Sequence, residues 1–380
     1  MPDTMTNRDR FHALMEYKAV DRVPHYEVGV WPQAIERWRE EGMDVDAHNW
    51  DWFTGDPAFN MDYREYINVH YDMIPPFDHE ILERTDKYEV FRDHKGVVHR
   101  ALLEGTVGGG RACMDTYLSW PVSDLDSFRE LTKRYETGLD ARYPDNWRED
   151  LLPRWKQRDH VAVLGRNCTM LGFYWRAREW MGTENLSYAF CLQPELIQAM
   201  MEFIADFTIE VSRPILEAGA APDYIFINED MAMKTGPLLS PELYREYILP
   251  HMTRLVEFHK SHGVKYAIVD SDGNPEPLIG LLMDAGVDAV WPLEQASENT
   301  NPYDIRKKYG KSLRLWGAVD KRELAKDRKA IDDHLMSLAP LLEDGGFIPT
   351  VDHTVPHDVS YDNLCHYMER KQQLLRGEYW

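Results

Sequence analysis

The stretch 264–274 reads Val-Lys-Tyr-Ala-Ile-Val-Asp-Ser-Asp-Gly-Asn and joins an apolar run to two carboxylates and a turn. The apolar residues predict a buried strand, and the Asp-Gly-Asn sequence predicts the turn after it. Three further apolar runs, at 222–228, 287–293 and 346–351, end in a similar way. The polar residues that follow them are Glu229 with Asp230, Glu294, and Asp352 with His353. Parallel strands of one barrel would bring all these groups to one mouth, where (β/α)8 enzymes keep their chemistry.

The order of secondary-structure signals supports a barrel. From residue 160 onward, strand and helix patterns alternate, beginning with a candidate strand at 161–165 and a long helix at 194–216. Such alternation predicts parallel strands joined by right-handed crossovers. We therefore predict an α/β fold, a (β/α)8 TIM barrel with an N-terminal helical cap and a β-hairpin insertion. A single domain over 1–380 fits, because α/β barrels are often long.

The patterns of apolar and polar residues divide this predicted domain into four parts. They are an N-terminal helix at about 1–22, a first strand at 25–30, cap and hairpin insertions at 31–150 with the hairpin at 87–106, and regular β/α repeats at 160–375.

Composition and charge limit the classes of partner. The formal net charge is −22, from 65 acidic and 43 basic residues, which disfavours nucleic acid and anionic membrane surfaces. No run approaches the roughly 20 apolar residues of a membrane span, and the N-terminus lacks the apolar segment of a signal peptide. The four cysteines form no Cys-x-x-Cys pair. We expect a soluble cytoplasmic protein with reduced thiols.

The carboxylates at the strand ends are the candidates for catalysis. Asp270 and Asp272 lie two residues apart, and acids crowded at one mouth can have shifted pKa values or hold a metal. The same sequence also suits an ordinary Asx turn, and a single His is often structural. The predicted catalytic residues are Asp270, Asp272, His353, Glu229 and Asp230, and the predicted metal ligands are Asp270, Asp272, Glu294 and His353.

Aromatic and basic residues near the strands are the candidates for substrate binding. Most Trp and Tyr residues pack in a core, but some can form the wall of a pocket for a flat ligand. The predicted substrate-binding residues are His25, Tyr26, Arg166, Trp291 and Trp316.

Several motifs in their order resemble the uroporphyrinogen decarboxylase superfamily. They are Arg10-Phe-His-Ala-Leu-Met15 with Asp21-Arg-Val-Pro24, Gly236-Pro-Leu-Leu-Ser-Pro241, the turn 270–274, Trp316-Gly-Ala-Val-Asp-Lys321, and 352–359. The resemblance covers about residues 5–375 and implies a (β/α)8 barrel with a deep site at its C-terminal mouth. True decarboxylases carry arginines after the first strand for a polyanionic tetrapyrrole. Here 25–32 has no Arg, so the chain is closer to the corrinoid-dependent methyltransferases of the superfamily.

The resemblance also implies a metal. These methyltransferases bind zinc with a His-x-Cys pair, a Cys after the last strand and in some cases a Glu. By position, Asp270 stands at the His, Asp272 at the first Cys, Glu294 near the Glu, and Asp352 or His353 at the last Cys. An oxygen-rich set of this kind would hold zinc as a Lewis acid, or would act as a proton donor without it.

The resemblance implies a corrinoid-dependent methyltransferase. It would move a methyl group to the Co(I) of a corrinoid protein that docks in trans. The acidic residues in place of thiolates favour a small O-methyl donor, for example a methoxyaromatic compound, with an N-methyl donor as the alternative. One alternative is decarboxylation or lyase chemistry on a small carboxylic acid, for which Arg166, Lys321 and Arg322 are the cationic candidates. Another is a barrel without catalysis that binds a corrinoid protein. The oligomeric state stays open, with a homodimer as one option.

Overall fold

A computed structural model of the chain describes residues 3–104, 114–165 and 172–380. In this part of the chain one sheet of seven parallel strands has the order β1-β6-β7-β10-β11-β12-β13. A second sheet of four antiparallel strands contains β2 to β5, and β8 with β9 forms a small hairpin. The strands are β1 Arg64–Ile67, β2 Glu80–Arg84, β3 Tyr88–Arg92, β4 Val98–Leu102, β5 Thr116–Ser119, β6 Val161–Leu164, β7 Tyr224–Asn228, β8 Ala232–Met233, β9 Gly236–Pro237, β10 Tyr266–Asp270, β11 Ala289–Leu293, β12 Arg314–Val319 and β13 Phe347–Val351.

Helices follow most strands of the parallel sheet. They are α1 Asn7–Met15, α2 Pro32–Glu40, α3 Leu125–Thr132, α4 Leu152–Gln157, α5 Phe173–Met181, α6 Thr183–Leu192, α7 Pro194–Glu217, α8 Pro241–Leu243, α9 Leu249–Ser261, α10 Glu276–Asp284, α11 Pro302–Tyr309, α12 Lys321–Leu324, α13 Arg328–Ser337, α14 Ala339–Asp344 and α15 Tyr361–Leu375. Several helices start where the sequence offers a capping side chain; for example, the Ser240 hydroxyl accepts a hydrogen bond from the Leu243 N–H (3.2 Å). The predicted α/β barrel class is confirmed.

The segment 25–30 lies between the two edge strands of the parallel sheet. The Asp62 N–H donates to the His25 carbonyl on the β1 side, and the Val355 N–H donates to the Gly29 carbonyl on the β13 side (2.9 and 3.0 Å). Only Val30 forms a ladder bridge, with Val355, so the predicted first strand is present as an extended segment. It joins β1 to β13 and closes the ring.

A buried ion pair holds this closing segment. The Lys371 ammonium group, on α15, contacts the Glu27 carboxylate, and both side chains are fully buried. Glu27 also accepts hydrogen bonds from the Val351 N–H (2.9 Å) and from the Tyr367 hydroxyl (2.5 Å). One carboxylate therefore links the closing segment, the last strand and the last helix.

Helix α1 covers the N-terminal end of the barrel. The Phe11 ring packs against four aromatic rings that belong to the closing segment and to three strands, namely Tyr26, Tyr224, Tyr266 and Trp316. Side chains therefore fill this end of the barrel.

The insertion between the first two barrel strands differs in part from the prediction. The hairpin is confirmed as β3 and β4, but it belongs to a larger sheet, and a Lys95–Glu179 ion pair ties it to α5. The region 31–150 was assigned to cap and insertions, yet β1 within it is a barrel strand. The sequence of β1 does not predict a buried strand, because it contains Arg64. In the structure Arg64 is buried between the Tyr26 and Phe53 rings, each 4.0 Å from the guanidinium carbon.

Among the helices of the described ranges, none combines the length and the apolar character needed to cross a membrane.

Candidate active site

The carboxyl ends of the parallel strands bring together the acidic residues that the sequence singled out. Asn228 at the end of β7, Asp270 at the end of β10 and Trp291 on β11 are partners in register across the three strands. Residues in register point to the same face of a sheet, so these three side chains are neighbours. Asp272, Glu294 and His353 follow on the adjoining loops. The mouth cluster consists of Asn228, Asp270, Asp272, Trp291, Glu294 and His353.

Asp270 is the acid at the centre of this cluster. Burial and the neighbouring carboxylates of Asp272 and Asp230 raise its pKa well above the ordinary value. Asp270 as a whole residue is partly buried at the end of β10. Asp270 therefore keeps its proton at pH values where an ordinary aspartate has lost it.

The turn after Asp270 depends on a glycine. Gly273 has a φ of +78°, and a Cβ there would lie 2.7 Å from the carbonyl oxygen of Met233 in the β8–β9 hairpin. The close approach of the two backbones fixes the position of Asp272.

His353 faces the cluster. Its Nε2 atom lies 3.4 Å from an Asp272 carboxylate oxygen, and this contact is the main reason why the pKa of His353 is raised. The Asp272 side chain is 39% exposed, so solvent screens this pair. The imidazole and the carboxylate are both open to a ligand.

Asp352, the residue before His353, is turned away from the mouth and fully buried. Its carboxylate accepts hydrogen bonds from the Gln295 N–H (2.7 Å) and the Lys321 N–H (3.0 Å). Burial raises the pKa of Asp352 to about 6. Its position links the ends of three strands, so we assign it a structural role.

Glu294 is held by an ammonium group. The Lys321 Nζ atom donates to one carboxylate oxygen at 3.0 Å, and the Gly273 N–H donates to the other at 3.1 Å. The charge of Glu294 is therefore already offset within the cluster.

Glu229 is fully buried at the N-terminus of α5. It accepts hydrogen bonds from the Phe173 and Tyr174 N–H groups (3.0 and 2.6 Å), while burial raises its pKa to about 7. A Cβ at Gly172 would lie 1.5 Å from the Asn228 carbonyl oxygen, so only glycine lets α5 approach this closely. Glu229 thus anchors a helix to the strand end.

Asp230 lies next to this anchor and pairs with a base. The Arg178 guanidinium donates to its carboxylate at 2.5 Å. Asp230 has a φ of +35°, a left-handed conformation that turns the chain sharply after β7.

The predicted substrate-binding residues lie in different places. Trp291 is at the mouth, where its indole N–H donates to the Thr350 hydroxyl (3.2 Å). Tyr26 and Trp316 are stacked on each other in the barrel core, with ring centroids 5.6 Å apart. His25 lies near the N-terminal end of the closing segment, 3.2 Å from the Asn60 carbonyl. Arg166 lies outside the described residues.

The residues present do not fit a zinc site in their present arrangement. Within 3–104, 114–165 and 172–380, no three His, Cys, Asp or Glu side chains are grouped so that they could hold a metal. The predicted ligands offer oxygens and one imidazole instead of thiolates, and Glu294 is bound to Lys321. Zinc stays a prediction from the resemblance.

Three site residues carried weak signals in the sequence. Asn228 ends an apolar run but bears no charge, Lys321 was considered only as a cation for a carboxylic acid substrate, and Gly172 precedes a helix without any motif. Their roles depend on neighbours that are distant in sequence.

The fold and the site define an α/β barrel with an acidic cluster at the carboxyl ends of its strands. A family model described as uroporphyrinogen decarboxylase (URO-D) matches residues 176–374, and the chain belongs to this family. A search of the curated proteins found no match.

Two solved structures align with this chain, and the first of them shows similarity of fold. A methyltransferase from Methanosarcina mazei aligns with a TM-score of 0.55 and 15% identity over 97% of this chain and 99% of its own. A B12-independent methionine synthase from Shewanella sp. W3-18-1, in complex with selenomethionine, aligns with a TM-score of 0.39 and 12% identity over 79% and 73%.

Proposed function

We propose that the protein is a methyltransferase that takes the methyl group from a small O-methyl donor, for example a methoxyaromatic compound, and passes it to the corrinoid of a separate protein. The observation that carries this proposal is the Asp270 carboxyl group at the strand end, in register with Trp291 and close to the carboxylates of Asp272 and Asp230. Membership of the URO-D family and the fold similarity to a protein titled as a methyltransferase agree with it.

The donor's leaving oxygen is the part of the reaction that this site serves. When the corrinoid protein is docked, its reduced corrinoid would supply the electron pair for the new bond to the methyl carbon. The bond between the methyl carbon and the donor oxygen breaks, its electrons stay on the oxygen, and Asp270 gives its proton to that oxygen. General acid assistance of this kind contributes typically about 10²- to 10⁴-fold in rate.

The neighbours of Asp270 prepare it for this role. Burial and the carboxylates of Asp272 and Asp230 disfavour a negative charge on Asp270, and this keeps its proton in place. His353 contacts Asp272 and is the group that can return a proton to the cluster after each cycle.

The charges at the mouth do not favour a carboxylic acid substrate. Three bases there are engaged by acids of this chain: Arg178 by Asp230, Lys321 by Glu294 and Arg322 by Asp320. A substrate carboxylate would need a free cation and would meet the repulsion of Asp272. Among the residues that the structure describes, the charges therefore favour a neutral methyl donor over a carboxylic acid.

The leaving group provides the test. The enzyme is incubated with a reduced corrinoid protein and either methoxybenzene or 1-methoxy-4-nitrobenzene, and methylation of the corrinoid is followed by absorbance. Asp270→Asn should lower kcat about 10²-fold or more with methoxybenzene. The loss should be much smaller with the nitro compound, because 4-nitrophenoxide departs without a proton.

The control is Asp206→Asn, which removes an exposed carboxylate on α7. It should behave as the wild type with both donors. Equal losses for the two donors in Asp270→Asn would contradict the acid role. Corrinoid-protein binding without methyl transfer from any donor would favour the non-catalytic alternative.

A further inference from the structure

Asn228 carries a polar atom that the protein leaves unused. Its side-chain carbonyl oxygen is buried and has no hydrogen-bond partner among the residues that the structure describes. Buried polar atoms in folded proteins are nearly always paired, so an unpaired one in a site indicates a ligand group that completes it. An amide carbonyl accepts hydrogen bonds, and the missing group is therefore a donor.

The position of Asn228 places the expected hydrogen-bond donor of the ligand close to the oxygen that receives the proton of Asp270. Asn228 and Asp270 are in register on neighbouring strands, so their side chains start roughly 5 Å apart on the same face. Each reaches about 3 Å to a hydrogen-bonded ligand atom. Two groups placed in this way contact two ligand oxygens that are close neighbours on one small molecule.

The third residue of the row is aromatic and fixed in place. The Trp291 ring packs edge-on against Phe226, with centroids 5.1 Å apart, and its N–H is bonded to Thr350. A rigid indole beside the acid offers a flat apolar wall to a flat ring.

From these contacts we infer that the donor is a methoxyphenol with its free hydroxyl group adjacent to the methoxy group, and that Asn228 accepts the hydrogen bond of this hydroxyl. This inference rests on the proposed function. Asp270 acts on the methoxy oxygen, and the ring lies along Trp291. The carboxylates of Asp230 and Asp272 disfavour an anionic substituent in place of the hydroxyl.

The experiment compares three probes in the corrinoid methylation assay: 2-methoxyphenol, 4-methoxyphenol and 1,2-dimethoxybenzene. The second moves the hydroxyl away from the methoxy group, and the third keeps the shape but removes the donor. Wild-type kcat/KM should be about tenfold or more higher with 2-methoxyphenol than with either of the others, since each of these leaves the Asn228 oxygen unpaired.

The variant Asn228→Leu keeps a similar volume without the amide. Its ratio of kcat/KM between 2-methoxyphenol and 4-methoxyphenol should fall towards one. Because this is a ratio within one variant, a partial loss of folded protein does not change it.

The outcomes separate this inference from the proposed function. Methyl transfer from none of the probes would contradict the proposed function itself. Transfer at similar rates from all three, a preference for 1,2-dimethoxybenzene, or an unchanged ratio in Asn228→Leu would leave that function standing and overturn the assignment of Asn228.

Discussion

Replacing Lys371 with methionine tests how the barrel is closed. Lys371 on α15 and Glu27 in the closing segment are both fully buried, and the ammonium group also donates to the Tyr26 carbonyl (2.7 Å). Methionine fills most of the same space but carries no charge. Glu27 would then be buried with the Tyr367 hydroxyl and the Val351 N–H as its donors and without a cation.

The expected loss follows from this burial. Removing one partner of a buried ion pair typically costs about 3–5 kcal/mol, because the remaining charge is uncompensated. The double variant Glu27→Gln with Lys371→Met keeps an acceptor for Tyr367 and Val351 and removes the charge. We expect it to recover at least about 2 kcal/mol of the loss in the single variant, as a coupled pair should.

Urea unfolding followed by tryptophan fluorescence measures both values. The control is Lys329→Met, because Lys329 is an exposed base on α13 with a surface partner, Asp333, and its loss should leave the unfolding midpoint unchanged. If Lys371→Met shifts the midpoint no more than the control does, the ion pair does not hold the closing segment, and the reasoning is wrong.

Two further predictions concern the anchor of α5. In Gly172→Ala, the new Cβ would meet the Asn228 carbonyl oxygen at 1.5 Å, so we expect a loss of about 2 kcal/mol or more in unfolding free energy together with a large fall in methyl transfer. Gly280→Ala is its control, because a Cβ there has open space, and equal behaviour of the two variants would contradict the packing argument. For Glu229, the folded-state pKa of about 7 lies above the ordinary value, so its stabilising contribution is complete below the unfolded-state pKa and is lost as pH rises through 7. As pH rises from 5 to 8, the wild type should therefore lose about 2 kcal/mol of unfolding free energy that Glu229→Gln keeps. Urea unfolding at each pH measures this difference, and parallel curves for the two proteins would refute it.

Much of the site could be predicted because parallel strands have a simple geometry. Their carboxyl ends meet at one end of a barrel, so the polar residues after each apolar run are expected to lie close together there. The structure places Asp270, Asp272, Glu294 and His353 together at that end.

Other parts of the site depend on contacts that a sequence does not contain. Whether Asp352 or His353 faces the mouth depends on the Gln295 and Lys321 N–H groups that bind Asp352. Tyr26 and Trp316 occupy core positions because Phe11 from the N-terminal helix packs against both rings.

Local patterns of apolar and polar residues are enough to predict the barrel class, the alternation of strands and helices after residue 160 and the identity of the polar residues at the strand ends. Folding is what keeps the proton on Asp270, sets Lys321 against the charge of Glu294 and leaves the Asn228 side-chain oxygen without a partner among the described residues. Asp270 and Asp230 are 40 residues apart in the chain, and Lys321 and Glu294 are 27 apart, so the electrostatic interaction within each pair depends on a distance and a burial that exist only after folding.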